Sequence, residues 1–254
     1  MTLTGFTMDH PYLNSVVLLL IVLLVAIAIG TVNAIFLLGS LVQLAVVDLI
    51  LIIIGIFLLT SLEWWGKAGY TAEIRLAQVP LFILPIAIAL LSLGQGIRVT
   101  APAAVLAFAA LTLVVGFAEE TYFRGLILTT LLPTGTIRAV ILSSFLFAAP
   151  HLLNMLGGVW DPYFTVVDSF AAFGIGITFA AIRLRTGSIW PLLGIHALYD
   201  FSSLISLGGI DVPAQSPQDL IMSVFFGIVF VVYGLFLLRA RETEGKGMQI
   251  PDDY

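Results

Sequence analysis

Residues 13–62 form an apolar run in which Asp48 is the only ionisable side chain. A run of this kind in hydrocarbon satisfies its backbone polar groups as helix. One crossing takes roughly 20 apolar residues, so this run must hold two helices, with a turn near Gly39 and Ser40. The rest of the chain has the same character. Of 254 residues 60% are hydrophobic and 10% charged, and the mean hydropathy is +1.14. A soluble domain, with a surface to cover in polar side chains, cannot have this composition. The expected fold is an all-α polytopic membrane protein, a bundle of about eight transmembrane helices around a polar intramembrane cavity. It is read as a single transmembrane domain over residues 1–254.

Eight spans are predicted: 13–38, 41–62, 79–95, 102–132, 138–156, 164–185, 188–207 and 218–239. Residues 63–78 are amphipathic and are expected at the interface. Trp64, Trp65, Tyr70, Trp160, Tyr163 and Trp190 fall near span ends, where an aromatic belt belongs. A polar tail covers about 240–254. The first basic residue is Lys67, so the first span is read as a retained helix and not as a cleaved signal.

Loop charge sets the orientation. One side collects Lys67, Arg75, Arg138, Arg183, Arg185, Arg239, Arg241 and Lys246, and the other holds Arg98. The positive-inside rule then puts both termini in the cytoplasm of an integral multi-pass protein, expected in the plasma membrane. The chain has no Cys, which removes disulfides, thiolate nucleophiles and Cys-ligated metals. No nucleic-acid partner is expected; the partners are the lipid bilayer and a membrane-associated protein or peptide, with a lipidated one among the candidates.

Several ionisable residues lie where lipid penalises them by about 3 kcal/mol or more each. "GFAEETYFRG" carries Glu119, Glu120 and Arg124. Glu120 and Arg124, four apart, share a helix face and can pair. Glu119 lies about 140° around the helix from Arg124 and needs another partner. His151 follows Phe147 by four residues, with Pro150 kinking or ending the helix between them. His196 precedes Asp200 by one turn. Glu119 and His151 both sit about 13 residues, roughly 20 Å, from the basic side, and His196 roughly 12 Å. The three can converge if their helices are neighbours. Glu120 with Arg124 reads as structural support. Asp48 and Asp168 read as helix packing or an outer vestibule.

A free acid, two imidazoles and a second carboxylate fit hydrolysis by activated water. Glu119 is the candidate general base. His151 would orient the water or share its proton, and His196 with Asp200 would hold the substrate carbonyl. A metal version uses Glu119, His151 and His196 as Zn²⁺ ligands, with an open position for water and Glu120 or Asp200 as base. The metal-free scheme is favoured and no cofactor is required by it. A proton-coupled transporter or a catalytically inactive scaffold would use the same polar residues differently. Transport would be supported by inverted repeats, and no internal repeat is evident.

"EETYFR" (Glu119, Glu120, Arg124), "FAAPH" (Phe147, His151) and "HALYD" (His196, Asp200) resemble the ordered motifs EExxxR, FxxxH and HxxxN/D of the CPBP family, the type II CAAX prenyl endopeptidases, also called Abi proteins. The resemblance spans residues 119–200. It implies a protease core over about 79–207 and an intramembrane endopeptidase cutting near the cytoplasmic side. It also implies that Glu119 activates water, that His151, His196 and Asp200 line the site, and that Glu120 pairs with Arg124. The family is labelled metalloprotease, and a glutamate-only mechanism is also proposed for it. Asp200 stands where prenyl-protein proteases commonly carry Asn, which donates a hydrogen bond without being protonated.

Overall fold

The computed structural model describes residues 9–155, 161–210 and 217–243. Trp160 and the tail beyond Thr243 lie outside the described residues. Eight principal helices follow one another among them: α1 (Pro11–Phe36), α2 (Ser40–Ser61), α3 (Pro80–Leu91), α4 (Pro102–Thr134), α5 (Thr136–Met155), α6 (Pro162–Thr186), α7 (Trp190–Leu207) and α8 (Pro217–Thr243). No strand occurs among the described residues. Six helices (α1, α2, α4, α5, α6 and α8) are long and apolar enough to cross a bilayer. The shorter α3 and α7 complete the set. The protein is an all-α polytopic membrane protein, and each expected span corresponds to one helix.

The local chemistry accounts for the helix ends. α1 stops at Leu37, which takes left-handed backbone angles (φ 54°) and returns its N–H to the Asn33 carbonyl. Gly39 (φ 84°) then turns the chain into α2, and its N–H donates to Asn33 Oδ1. The expected turn near Gly39 and Ser40 is where the chain reverses. In α5 the α-helical part ends at Ala148, and Pro150 lies in the tighter 3₁₀ continuation Ala149–Met155. Asp161 caps α6, accepting from the N–H groups of Tyr163 and Phe164.

α8 packs along α6, α5 flanks α6, and α4 lies between α2 and α7, with α3 on the other contact of α7. Small residues set these distances, because lipid supplies no hydrophobic drive between helices and packing must come from close approach. A Cβ on Gly174 of α6 would fall 2.4 Å from the Gly227 carbonyl oxygen of α8. Four residues on, Thr178 donates its hydroxyl to the Phe230 carbonyl at 2.5 Å. On α4, a Cβ on Gly116 would fall 3.0 Å from the Leu193 carbonyl oxygen and 3.6 Å from His196 Cβ. That glycine is what lets α7 bring His196 up to α4.

The segment after α2 departs from expectation. Its first part turns inward around Trp64, Ala68 and Gly69, while Thr71 and Glu73 to Arg75 stay exposed. Trp64 is 1% exposed and Ala68 fully buried. The physical reason is a cation. Arg183 near the end of α6 donates to the carbonyls of Lys67 (2.7 Å), Ala68 (3.2 Å) and Gly187 (2.8 Å), drawing the loop into the bundle. Trp64 is therefore a core residue, whereas Trp190 and Tyr163 are exposed as a belt requires.

Gly174→Ala should destabilise the bundle by about 1–3 kcal/mol, the range for overpacking a tight contact. Thermal aggregation followed by size-exclusion chromatography in detergent reads this as a lowered midpoint, with Gly94→Ala, facing open space, as the neutral control.

Candidate active site

The centre of the polar cluster is buried in α4. Glu120 is fully buried and Arg124 is 2% exposed. Arg124 Nη1 donates to Glu120 Oε1 at 2.8 Å, the i,i+4 pair expected from spacing. The helix is not regular here. Thr121–Ile127 is π-helical, and every one of its seven residues is buried. Thr121 starts the distortion: its hydroxyl donates to the Phe117 carbonyl, four residues back, and competes for the acceptor that the helix reserves for its own N–H. π segments within α-helices occur often at functional sites.

The guanidinium is held by rings as well as by charge. Its Cζ sits 4.0 Å from the centre of the Phe147 ring of α5 and 5.3 Å from that of Phe179 of α6. A desolvated cation–π contact contributes on the order of 2 kcal/mol. Phe147 also packs edge-on against His151 (5.6 Å) and His196 (6.0 Å), and so lies between the two imidazoles.

His196 of α7 meets three carboxylates. Its Nδ1–H donates to Glu120 Oε1 at 2.7 Å. That bond directs Nε2 the other way, to Glu119 Oε2 and Asp200 Oδ2, each at 3.5 Å. Glu119 and Asp200 are about one-third exposed, unlike Glu120. The two neighbouring acids are thus divided as helical geometry predicts. Glu120 is locked by Arg124 and, beyond the expectation, by His196. Glu119 faces a more open space.

His151 stands across Phe147. Its Nδ1 lies 3.3 Å from Asp168 Oδ2 of α6, and both side chains are about one-third exposed. It falls within electrostatic range of Glu119 and Asp200. The structure therefore gathers Glu119, Glu120, His196 and Asp200 into direct contact and sets His151 beside them. Among the described residues no group of three or more His, Asp or Glu side chains is placed to hold a metal ion. In the trio Glu119, His151 and His196, one nitrogen of each ring is turned to a carboxylate outside the trio, which leaves the other nitrogen of each ring available, and Phe147 lies between the two rings.

Asp168 and Asp48 were read from the sequence as packing or vestibule residues, and the structure sets both beside the site. Asp168 contacts a site residue directly. Asp48 of α2 is 4% exposed and within electrostatic range of Glu119, Asp200 and His196. Two signals pointed to them. His151 lies four residues before Met155 at the end of α5 and Asp168 six residues after Pro162 at the start of α6, and Asp48 is the lone charge in its apolar run.

Arg124→Ala should lower the yield of monodisperse protein sharply. It leaves Glu120 buried without its cation, a loss of about 3–5 kcal/mol. Glu120→Gln should act in the same direction. Size-exclusion profiles of the purified variants measure this, and wild-type yield of Arg124→Ala would contradict the structural role.

Two comparisons bear on these residues. Residues 101–202 match the family model described as Type II CAAX prenyl endopeptidase Rce1-like. The matched segment runs from the start of α4 to just past Asp200 in α7, and holds every site residue named above except Asp48. No individual curated protein matches the chain.

Proposed function

We propose, from the match of residues 101–202 to the Rce1-like family model, that this chain is a CAAX-type protease and hydrolyses a peptide bond inside the bilayer with a water activated by Glu119. Members of such a family are proteases acting on membrane-associated proteins. The observation that carries the reading is the division of labour between adjacent acids: Glu120 is fully buried against Arg124 and His196, while Glu119 is 29% exposed beside His196 Nε2.

In this scheme Glu119 takes a proton from water as the oxygen attacks the substrate carbonyl carbon. Charge develops on the carbonyl oxygen, and His196, protonated on both nitrogens among its three carboxylates, keeps Nδ1–H on Glu120 and donates Nε2–H toward it. The C–N bond breaks and the proton held by Glu119 passes to the leaving amine, so the acid returns to its starting state. Asp200 flanks Nε2 and restrains the ring. Asp168 does the same for His151, which with Nδ1 directed at a carboxylate turns Nε2 to the pocket and orients the water. Glu120, Arg124 and Phe147 hold this arrangement without touching substrate. No step needs a cofactor. The protein would reside in the plasma membrane with both termini cytoplasmic.

Glu119→Gln should lower turnover of a membrane-reconstituted fluorogenic peptide by roughly 10²–10⁴-fold, the usual worth of a positioned base, while its chromatographic profile stays that of wild type. Asp168→Asn should lower kcat with little effect on KM. Unchanged turnover by Glu119→Gln sinks the assignment. Chelator treatment should leave the rate intact, and elemental analysis should find metal far below one ion per chain; a rate lost with the chelator and restored by zinc would favour the metal scheme instead.

A further inference from the structure

Five carboxyls lie in or beside the polar cluster: Asp48, Glu119, Glu120, Asp168 and Asp200. Three groups can carry positive charge against them, Arg124, His151 and His196. The guanidinium is taken up by Glu120. Among the described residues no Lys or Arg lies within ion-pair distance of the other four acids. Five acids against three such groups leave two negative charges unmatched even with both imidazoles protonated. Inside a bilayer a surplus of this kind is costly.

Asp48 has the least to offset it. It is 4% exposed and accepts no hydrogen bond from any described residue. Its helix turns it inward. Asp48, Leu51, Gly55 and Leu59 recur at three- and four-residue steps and are all buried, so they line one face of α2. A Cβ on Gly55 would fall 3.1 Å from Thr121 Cγ2 and 3.5 Å from Tyr122 Cε2, so that face lies on α4 just past Glu120. Asp48 stands two turns before Gly55 on it, within electrostatic range of Glu119, Asp200 and His196. α1, which also packs on α2, carries no Lys, Arg, His, Asp or Glu to pair with it.

The unmatched acids border open space. Glu119, Asp168 and Asp200 are each about one-third exposed, whereas Glu120 is fully buried. A side chain entering beside His196 Nε2 meets carboxyls from α2, α4, α6 and α7. In serine proteases one unpaired carboxylate in the pocket next to the reacting bond is enough to select a basic residue. We propose that this site takes a cationic side chain: the peptide it cleaves carries Lys or Arg close to the scissile bond, and Asp48 is a specificity-determining residue. The inference rests on the hydrolase reading of Glu119. Glu119 Oε2 and Asp200 Oδ2 each lie 3.5 Å from His196 Nε2. Extended peptide advances about 3.3–3.6 Å per residue, so the charge belongs within about two residues of the bond. The incoming ammonium or guanidinium supplies part of the positive charge that the bundle itself lacks.

For the test, the full chain is reconstituted in phosphatidylcholine vesicles with a single-span peptide. The juxtamembrane residues of that peptide are drawn at random from Ala, Leu, Gln, Glu and Lys, and the products are sequenced by mass spectrometry. Lys is expected roughly tenfold over Gln at one of the positions flanking the cut, with Glu depleted. Asp48→Asn should lower the Lys-to-Gln ratio at least about threefold. Equal frequencies of Lys and Gln overturn the proposal, and an Asp48→Asn chain that keeps the whole preference overturns the role of Asp48. Absence of any cut counts against hydrolysis alone, so selection is also read as binding. Glu119→Gln leaves Asp48, Asp168 and Asp200 in place and should hold a fluorescent Lys-bearing peptide several-fold more tightly than its Gln twin. Equal affinity for the two overturns the proposal without any turnover being needed.

Discussion

The guanidinium of Arg124 is the interaction on which the rest of the core depends. A cation at this depth is tolerated only with its charge met on several sides. Glu120 meets it from the same helix, and the rings of Phe147 and Phe179 approach it from α5 and α6. Glu120 in turn accepts from His196 of α7. One buried ion pair therefore ties four helices together, and in doing so sets where the second acid and both imidazoles stand. Such a pair contributes little net stability against apolar packing; its consequence here is geometric.

Close packing and polar contact act together. Gly116 brings α7 within reach of α4, and Gly174 with Gly227 bring α6 and α8 backbone to backbone. Without the small residues the hydrogen bonds of His196 would be out of range, and without the polar groups α4 and α7 would have no fixed register. The π-helical turn after Glu120 adds a local adjustment, with Thr121 joining Phe117 on its own helix to Tyr70 on the inward loop. A second cation, Arg183, performs the corresponding task at the basic end by satisfying three carbonyls of the loop and helix terminus. One arginine thus fastens the inward loop and the other centres the polar cluster.

Much of the candidate site was legible before folding. Glu120 with Arg124, and His196 with Asp200, are four apart, and periodicity alone puts such pairs on one face. Depth along each span brought Glu119 and His196 to compatible levels. The pairing of Asp168 with His151 was not legible, because the two sit on different helices and the facing of two helices depends on their rotation, which no local pattern records. Trp64 was misplaced for a related reason. An aromatic residue at a span end has the composition of a membrane belt, and only the distant Arg183 makes its segment fold inward.

Apolar length and backbone hydrogen-bond demand already dictated a helical membrane bundle with its approximate spans, and the cost of charge in lipid singled out the residues that needed partners. Which partner each one found was a matter for the folded chain. His196 bridging Glu120 and Glu119, Asp168 on His151, and the loop held by Arg183 and Thr121 all join residues far apart in sequence. Their distances follow from how glycine-lined helices nest and rotate against one another, a property of the whole bundle and of none of its segments taken singly.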